Sequence, residues 1–178
     1  MINLSARQET QSEGKNSMTS HYYDSPLGEI TIFGDDGKIT GLYFSDQLPK
    51  NHRDNSADSA PIFEQADEWL DTYFSGRMPD FTPPLKIEGS DFHREVCGIM
   101  LEIPFGHVMT YSEIAGIIAK RRNISRISAR AVGGSASRNK ISLIIPCHRV
   151  IGARGNLTGY GGGIERKRKL LELEGVTL

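Results

Sequence analysis

The stretch Ile145-Pro146-Cys147-His148-Arg149-Val150 is the most informative part of this chain. It places a cysteine, which is strongly nucleophilic near neutral pH, directly before a histidine and after an apolar run that predicts a buried strand or the start of a turn. A buried thiol beside a potential base indicates covalent chemistry. Taken alone, the stretch also fits an ordinary core cysteine followed by a surface histidine. The surrounding sequence is needed to distinguish these two interpretations.

Length and composition fit a small globular protein. A chain of 178 residues can form one compact domain or two small ones. The two cysteines, Cys97 and Cys147, both lie in apolar runs, which argues against a disulfide framework and favours a reducing compartment. Residues 1–17 are polar and lack a signal-peptide pattern, and no apolar run is long enough to span a membrane. We therefore expect a cytoplasmic protein with no membrane contact and a disordered tail over residues 1–17.

Charge is distributed unevenly along the chain. Residues 1–119 carry 8 basic and 19 acidic side chains, whereas residues 120–169 carry 13 basic side chains and a single acidic one. A basic block next to an acidic block is typical of a polyanion site, and nucleic acid is the most common polyanion. The run Arg166-Lys167-Arg168-Lys169 by itself also fits a solvated helix face. The other basic residues are interspersed with Gly, Ser and Asn, which favours contact with nucleic acid.

The first part of the chain predicts a small sheet. Two turn sequences, Ser25-Pro26-Leu27-Gly28 and Gly34-Asp35-Asp36-Gly37, separate three β-rich runs that end at Phe44. Residues 47–60 are polar and predict a loop. The expected product is a three-stranded meander.

Helical spacing follows this sheet. Apolar residues at steps of three and one predict a packing helix that begins at Pro61 and stops at Gly76. The Pro-rich stretch over residues 79–84 predicts a linker. A further helix with apolar residues at steps of four and three ends at Pro104.

Two later helices predict a helix-turn-helix. The run Thr110-Tyr111-Ser112-Glu113 fits a capping box that opens the first, and a second short helix is expected over residues 128–137. Such a pair with basic residues around the second helix has the geometry of a DNA-binding motif. The second helix contains Gly133 and Gly134, each of which costs about 1 kcal/mol relative to alanine. Close approach to a narrow groove and tight packing against another helix would both explain them.

Many spaced positions of the second half match one family. The matching residues are Arg130-Ala131-Val132-Gly133, Asn139, Pro146-Cys147-His148-Arg149-Val150, Gly159-Tyr160, Gly162-Gly163, Lys167, Leu170-Leu171 and Glu174. Together they resemble the O6-alkylguanine-DNA alkyltransferases, or methylated-DNA-protein-cysteine methyltransferases. The resemblance extends over most of the chain and is dense from Phe92 onward.

The resemblance implies an α/β protein of the α+β type with two units. It implies a small N-terminal α/β domain of ribonuclease-H-like shape over residues 18–88. It also implies a C-terminal DNA-binding alkyltransferase domain over residues 89–178, which is helical, winged-helix-like and contains the helix-turn-helix. No cofactor is implied. Because the cysteines and histidines show no ligand spacing, we expect no metal, including the structural zinc of some relatives.

The resemblance also implies a reaction. In the family, the cysteine matching Cys147 takes the alkyl group from O6 of guanine, and O4-methylthymine is a further expected substrate. The thioether is not cleaved, so each molecule acts once. The family uses a histidine, here His148, acting through a water, while the glutamate matching Glu174 holds the imidazole. Asn139 is expected to brace the turn that bears the cysteine, and Tyr111 to donate a proton to guanine N3 as the base leaves.

The expected partner is double-stranded DNA containing O6-alkylguanine, bound by a monomer. The alkylated base has to be flipped out of the duplex, and an arginine, here Arg130, is expected to fill its place. The residues expected to contact DNA are Arg130, Ala131, Val132, Gly133, Gly134, Ser135 and Arg149. The residues expected to contact the flipped base are Tyr160, Gly161 and Val150. A glycine-rich loop over residues 159–163 would close the pocket.

Two other classes of protein share parts of this pattern. A lesion sensor without chemistry would keep Arg130 and Tyr111 but lack the nucleophile that Cys147 supplies. A cysteine hydrolase would need turnover. Two departures from the family pattern are Lys140, where a proline is usual and the turn is expected to be less rigid, and Cys97, where tryptophan is frequent.

Overall fold

A computed structural model describes residues 19–48 and 60–177 of the chain. The predicted tail over residues 1–17 and most of the predicted loop over residues 47–60 lie outside these ranges. Within them, no helix combines the length and apolar character needed to cross a bilayer.

The N-terminal part contains the predicted three-stranded meander. Its strands are β1 (Thr19–Ser25), β2 (Gly28–Asp35) and β3 (Lys38–Phe44), antiparallel and in the order β1-β2-β3. Asp36 and Gly37, at the second turn, have φ of 50° and 68°, the left-handed conformation that a tight hairpin turn requires. One face of the sheet is buried through Ile30, Ile32, Leu42 and Phe44. This face forms the base of the core.

A helix covers this sheet, as predicted. α1 (Pro61–Phe74) starts with a proline at its first turn, where the missing N–H costs no hydrogen bond. It packs on β1 and β2. Trp69 and Tyr73 on its inner face are buried, as is expected of aromatic residues at helical spacing.

The C-terminal part is mainly helical. Its elements are α2 (Asp91–Leu101), β4 (Met109–Thr110), α3 (Tyr111–Arg121), α4 (Ala129–Ala136), β5 (Val150–Ile151) and α5 (Ile164–Leu173). Short 3-10 turns lie at Ser45–Gln47, Cys147–Arg149 and Ala153–Gly155. The predicted capping box is present, since Thr110 accepts from the Glu113 N–H and the Glu113 carboxylate accepts from the Thr110 N–H. α3 and α4 pack on each other and on α2, so the predicted helix-turn-helix and the α+β fold class are confirmed.

The apolar run before Cys147 forms a turn and not a strand. Its only β pairing among the described residues is a parallel bridge between Ile141 and Leu42 of β3. Leu143 has φ of 68°, which bends the chain away from an extended path. The sequence allowed either outcome, because a short buried apolar run has no distinctive periodicity.

The same bridge joins the two parts of the molecule. The Leu42 N–H donates to the Lys140 carbonyl at 2.7 Å, and the Ser142 N–H donates to the Leu42 carbonyl at 2.9 Å. The backbone at Lys140 is therefore held by the N-terminal sheet, although the family's usual proline is missing there. The segment that leads to Cys147 is therefore hydrogen-bonded to the edge of the sheet at β3.

We predict that Thr110→Ala lowers the free energy of unfolding by about 1 kcal/mol, because it removes an N-cap that satisfies a helix N–H. Ser112→Ala, one residue into the exposed face of α3, is the matched control and should change stability by only a few tenths of that. Urea unfolding of both variants tests this. Equal effects of the two substitutions would show that the cap contributes nothing.

Candidate active site

Cys147 begins the 3-10 turn Cys147–Arg149 and is 9% exposed. Asn139 holds this turn: its Nδ2 donates to the Ile145 carbonyl at 2.9 Å and to Cys147 Sγ at 3.2 Å, while its Oδ1 accepts from the Ile141 N–H at 3.0 Å. One amide side chain thus fixes the backbone on both sides of the apolar run and contacts the sulfur itself. The structure brings Asn139 and Cys147 together as the sequence analysis expected.

The thiol is protonated at rest. Burial raises the pKa of Cys147, and this effect outweighs the opposing influence of the Asn139 hydrogen bond, the positive charge of Lys167 and nearby backbone N–H groups. A nucleophilic thiolate therefore requires a base at this site.

His148 and Glu174 form a buried pair beside the cysteine. His148 Nε2 lies 2.7 Å from Glu174 Oε1, and both side chains are shielded from solvent. Burial lowers the pKa of His148 despite the carboxylate, so the ring is neutral at rest. His148 Nδ1 is buried with no hydrogen-bond partner among the described residues. The ring therefore has one nitrogen committed to Glu174 and one free to accept a proton.

Glu174 accepts hydrogen bonds from four residues. Besides His148, the donors are Tyr73 Oη at 2.8 Å, Arg149 Nε at 2.8 Å and Nη2 at 3.1 Å, and the Gly106 N–H at 3.1 Å. Burial alone would raise the pKa of Glu174, but its hydrogen bonds and charge interactions with His148 and Arg149 lower that pKa to about 2. The carboxylate stays ionised throughout the physiological range.

Arg149 was expected to contact DNA, and the structure places its side chain in the interior. Its guanidinium is committed to Glu174 and to the Ile103 carbonyl, which accepts from Nη1 at 2.7 Å. The residue is 8% exposed. Because a buried carboxylate needs a buried cation, Arg149 serves the interior of the site and not the surface.

Three other residues that were expected to contact DNA or the flipped base have buried side chains. Val132 and Val150 are fully buried in the core. Ser135 is also fully buried, and its hydroxyl lies 3.0 Å from His93 Nδ1. On α4 the cause is helical periodicity: a run of consecutive residues cannot all face one partner, because only positions three or four apart share a face.

The outward face of α4 lines an open groove of about 480 Å³. Its lining consists of Tyr111, Ala129, Arg130, Gly133, Gly134, Ser137, Thr158 and Gly159. Arg130 and Ala131 are exposed at this end of the helix. A Cβ added at Gly133 would approach no closer than 3.7 Å to Tyr111, and one at Gly134 no closer than 4.0 Å to Arg138. Tight helix packing therefore does not explain the paired glycines, which leaves the groove as their reason.

The glycine-rich loop closes the other side of this groove. Tyr111 Oη donates to the carbonyls of Thr158 at 3.1 Å and Gly159 at 3.3 Å. A Cβ at Gly162 would lie 2.6 Å from the ring of Tyr160, so only glycine fits there. Gly161 is exposed on the loop.

Tyr160 lies over the site. Its ring meets the His148 ring edge-on, with centroids 6.4 Å apart, and its hydroxyl is buried without a partner among the described residues. Burial, together with the proximity of Cys147, holds the pKa of Tyr160 well above its usual value. The residue stays a neutral phenol beside the sulfur.

Lys167 is a site residue that the sequence analysis gave no role. Its side chain is fully buried, and Nζ donates to the carbonyls of Val150 at 2.5 Å and Thr158 at 2.9 Å. Burial lowers the pKa of Lys167 to about 8. The spacing to Leu170 and Leu171, three and four residues later, marks the inner face of α5 and could have separated it from the solvated basic run.

Arg166 ties the loop to the N-terminal part. Its guanidinium donates to the Gly162 carbonyl at 3.3 Å, to the Leu27 carbonyl at 3.0 Å and to Asp46 at 2.9 Å. It also lies 4.3 Å above the Phe44 ring. No sequence pattern pairs residues so far apart, and the arginine was unrecognised for that reason.

The described residues contain no group of three or more His, Cys, Asp and Glu side chains that could hold a metal ion. Cys97 lies in the core with its Sγ 3.5 Å from His93 Nε2. It is a core residue, as the sequence indicated.

Comparison with known proteins gives one consistent match. The family model described as 6-O-methylguanine DNA methyltransferase, ribonuclease-like domain, matches residues 18–87. The model described as 6-O-methylguanine DNA methyltransferase, DNA binding domain, matches residues 91–176. Both halves of the chain thus match models of the same family.

Individual relatives agree. A methylated-DNA–protein-cysteine methyltransferase of Mycobacterium tuberculosis is 42% identical over 156 residues, which covers 86% of this chain and 92% of the relative. One from Haemophilus influenzae is 39% identical, covering 86% of this chain and 84% of the relative.

A solved structure with the same fold is the M. tuberculosis OGT in complex with DNA. It has a TM-score of 0.76 and 41% identity, covering 88% of this chain and 92% of the other. With family models that match both halves, a relative that is 42% identical over most of its length and a solved structure of the same fold, this chain belongs to the methylated-DNA–protein-cysteine methyltransferase family.

Proposed function

We propose that this protein repairs DNA by moving the alkyl group of O6-alkylguanine onto its own Cys147. The observation that carries the proposal is the position of Cys147 Sγ, which accepts a hydrogen bond from Asn139 Nδ2 at 3.2 Å. Cys147 is followed directly in the chain by His148, which pairs with Glu174. Tyr111 lines the groove along α4, and Cys147 is close enough to it to contribute to its raised pKa. The names of the relatives and the DNA complex of one of them support this substrate.

The chemistry follows from the protonation states. The Sγ proton passes, through a bridging water, to the free Nδ1 of His148, and the ionised Glu174 stabilises the imidazolium that forms. The thiolate then attacks the alkyl carbon in line with the C–O6 bond. A C–S bond forms, the C–O6 bond breaks, and its electron pair leaves with the guanine. A thioether has no easy route to hydrolysis, so each molecule reacts once.

The leaving guanine needs a proton. Tyr111 borders the groove, and its hydroxyl currently donates to the carbonyls of the 158–159 segment. A flipped base in the groove would offer ring N3 as an alternative acceptor for the same proton. Burial raises the pKa of Tyr111, with a further contribution from Cys147, so the phenol retains its proton until the base departs.

The DNA would lie across the outward face of α4. Because Gly133 and Gly134 have no side chain, the helix backbone can approach a narrow minor groove closely at these positions. Arg130 projects from the start of this face and is the side chain best placed to enter the base stack. The basic charge of residues 120–169 supplies the attraction for phosphates.

The finer statements are part of the same proposal. We infer that the protein is a monomer that acts on double-stranded DNA in the cytoplasm. Asn139 would brace the reactive turn, Cys147–Arg149, and Tyr160 and Gly161 would contact the flipped base. Acceptance of O4-methylthymine stays a prediction.

Incubation with a duplex that contains O6-methylguanine should add about 14 Da, one methyl group in place of a proton, to the peptide carrying Cys147. The reaction should stop at one equivalent. Mass spectrometry measures both, and Cys147→Ala should abolish transfer whereas the core variant Cys97→Ala should retain it. Repeated release of product would indicate a hydrolase, and lesion binding without modification would indicate a sensor.

Arg130→Ala should slow repair of duplex DNA by about tenfold or more, because the gap left by the flipped base is no longer filled. Reaction with free O6-methylguanine should change much less. Arg77→Ala, at the end of α1 and outside the groove, is the control. Comparable losses on both substrates would place Arg130 in the chemistry and not in DNA distortion.

Lys167→Met should raise the pKa of Cys147, because a buried positive charge near the thiolate is lost. At pH 7 alkylation of Cys147 by iodoacetamide should slow by about tenfold for each unit of this rise. Since the pKa of Lys167 is about 8, the difference from the wild-type protein should shrink above that pH. Lys169→Met on the exposed face of α5 should leave the profile unchanged.

A further inference from the structure

One side chain of the N-terminal part contacts the buried pair formed by His148 and Glu174. Tyr73, near the end of α1, is fully buried, and its hydroxyl lies 2.8 Å from Glu174 Oε1 and 3.2 Å from His148 Nε2. Its ring is fixed by stacking on Trp69 at 5.3 Å and by an edge contact with Phe105 at 5.9 Å. The phenol is therefore a rigid group aimed at the contact between the imidazole and its carboxylate.

The hydrogen-bond count at this contact fixes the proton of the imidazole. A phenol has one proton, which Tyr73 donates to Glu174, so toward His148 its oxygen can only accept. The ionised Glu174 can also only accept. Both neighbours of His148 Nε2 are then acceptors, which places the proton of the neutral ring on Nε2 and leaves Nδ1 bare.

We infer that Tyr73 is a positioning residue of the alkyl-transfer site, which acts through Glu174 to keep His148 neutral with its proton on Nε2. The inference rests on the proposed function for its importance, but not for its geometry. Through Tyr73, the N-terminal part of the chain supports the chemistry of the C-terminal part.

The direction of the effect follows from the distances. Several groups face the imidazole: Glu174 and Lys167 from the C-terminal helix, Arg149 and Cys147 from the reactive turn, Tyr160 from the glycine-rich loop and Tyr73 from α1. The hydroxyl of Tyr73 is closer to the carboxylate than to the ring. Its main action is therefore to occupy a lone pair of Glu174 that would otherwise attract a proton onto His148.

Tyr73→Phe tests this with little change in shape. Without the Tyr73 hydrogen bond, the Glu174 carboxylate should favour the charged form of His148. The acid limb of the profile of reaction rate against pH should therefore move to higher pH by about half a unit or more. The single-turnover rate of methyl transfer should fall by about threefold at pH values on the acid limb, the change that half a pKa unit gives, and should stay unchanged at higher pH. Tyr23→Phe is the matched control, because it also removes a phenol–carboxylate bond, to Asp71, but outside the site.

A second pair of variants tests the route through Glu174. In a Glu174→Gln background, adding Tyr73→Phe should leave the pH profile unmoved, since the group it acts on is gone. An effect of the same size in both backgrounds would overturn the inference. So would a Tyr73→Phe protein with the wild-type profile, or a uniform loss of rate with a lower Tm and no shift in the profile.

The pH profile of Cys147 alkylation by iodoacetamide, located by peptide mass spectrometry, gives a readout that needs no DNA. If the wild-type protein transferred no methyl group, the proposed function would fail while this profile still decided the role of Tyr73. If Tyr73→Phe proved too unstable, NMR of the wild-type protein would serve. The shielded Tyr73 hydroxyl proton should give a slowly exchanging downfield resonance that Glu174→Gln shifts upfield, and its absence would overturn the inference.

Discussion

The buried carboxylate of Glu174 is the contact on which the site depends. An ion removed from water is costly unless its lone pairs are satisfied, and here four residues from three separate segments satisfy them. Those segments are the N-terminal helix, the loop after α2 and the turn Cys147–Arg149, while Glu174 itself lies at the end of α5. The carboxylate is thus both the partner of the base and a junction between parts of the fold. Loss of any one segment would leave a buried charge partly unmatched.

Among the described residues that line the groove along α4, none comes from the N-terminal sheet, but the sheet supports the segments around the site. β3 hydrogen-bonds to the turn that carries Cys147 through Lys140 and Ser142, and Arg166 ties the glycine-rich loop to Asp46. The N-terminal part is therefore tied both to the segment that leads to Cys147 and to the glycine-rich loop. Its contribution is rigidity, which a nucleophile with a short reach to its target requires.

Much of the fold and part of the candidate site could be predicted from the sequence, and the features that could not be predicted have physical reasons. Periodicity and turn chemistry located α1, α2, the hairpins and the capping box, because these depend on residues close in sequence. Asn139, His148 and Glu174 were found through their resemblance to a family. The burial of Arg149 was not expected, because a charged residue in a basic region suggests a surface, whereas its partner Glu174 lies 25 positions away in the sequence. The burial of Val132 and Ser135 was not expected, because their consecutive run was not divided into helix faces. Tyr73 and Arg166 could not be found at all, since their contacts join residues more than 100 positions apart.

The sequence separation of these contacts also bears on how the chain acquires its shape. Tyr73 and Glu174 are 101 positions apart, and Leu42 bonds to a turn nearly as distant. Folding is slowed when loops of that length have to close before the contacts that stabilise them can form. During synthesis the sheet emerges first and can serve as a template onto which the later turn docks. The sulfur is then surrounded by its partners only in the last steps of folding, so a partly folded molecule would hold an ordinary thiol and not a reactive one.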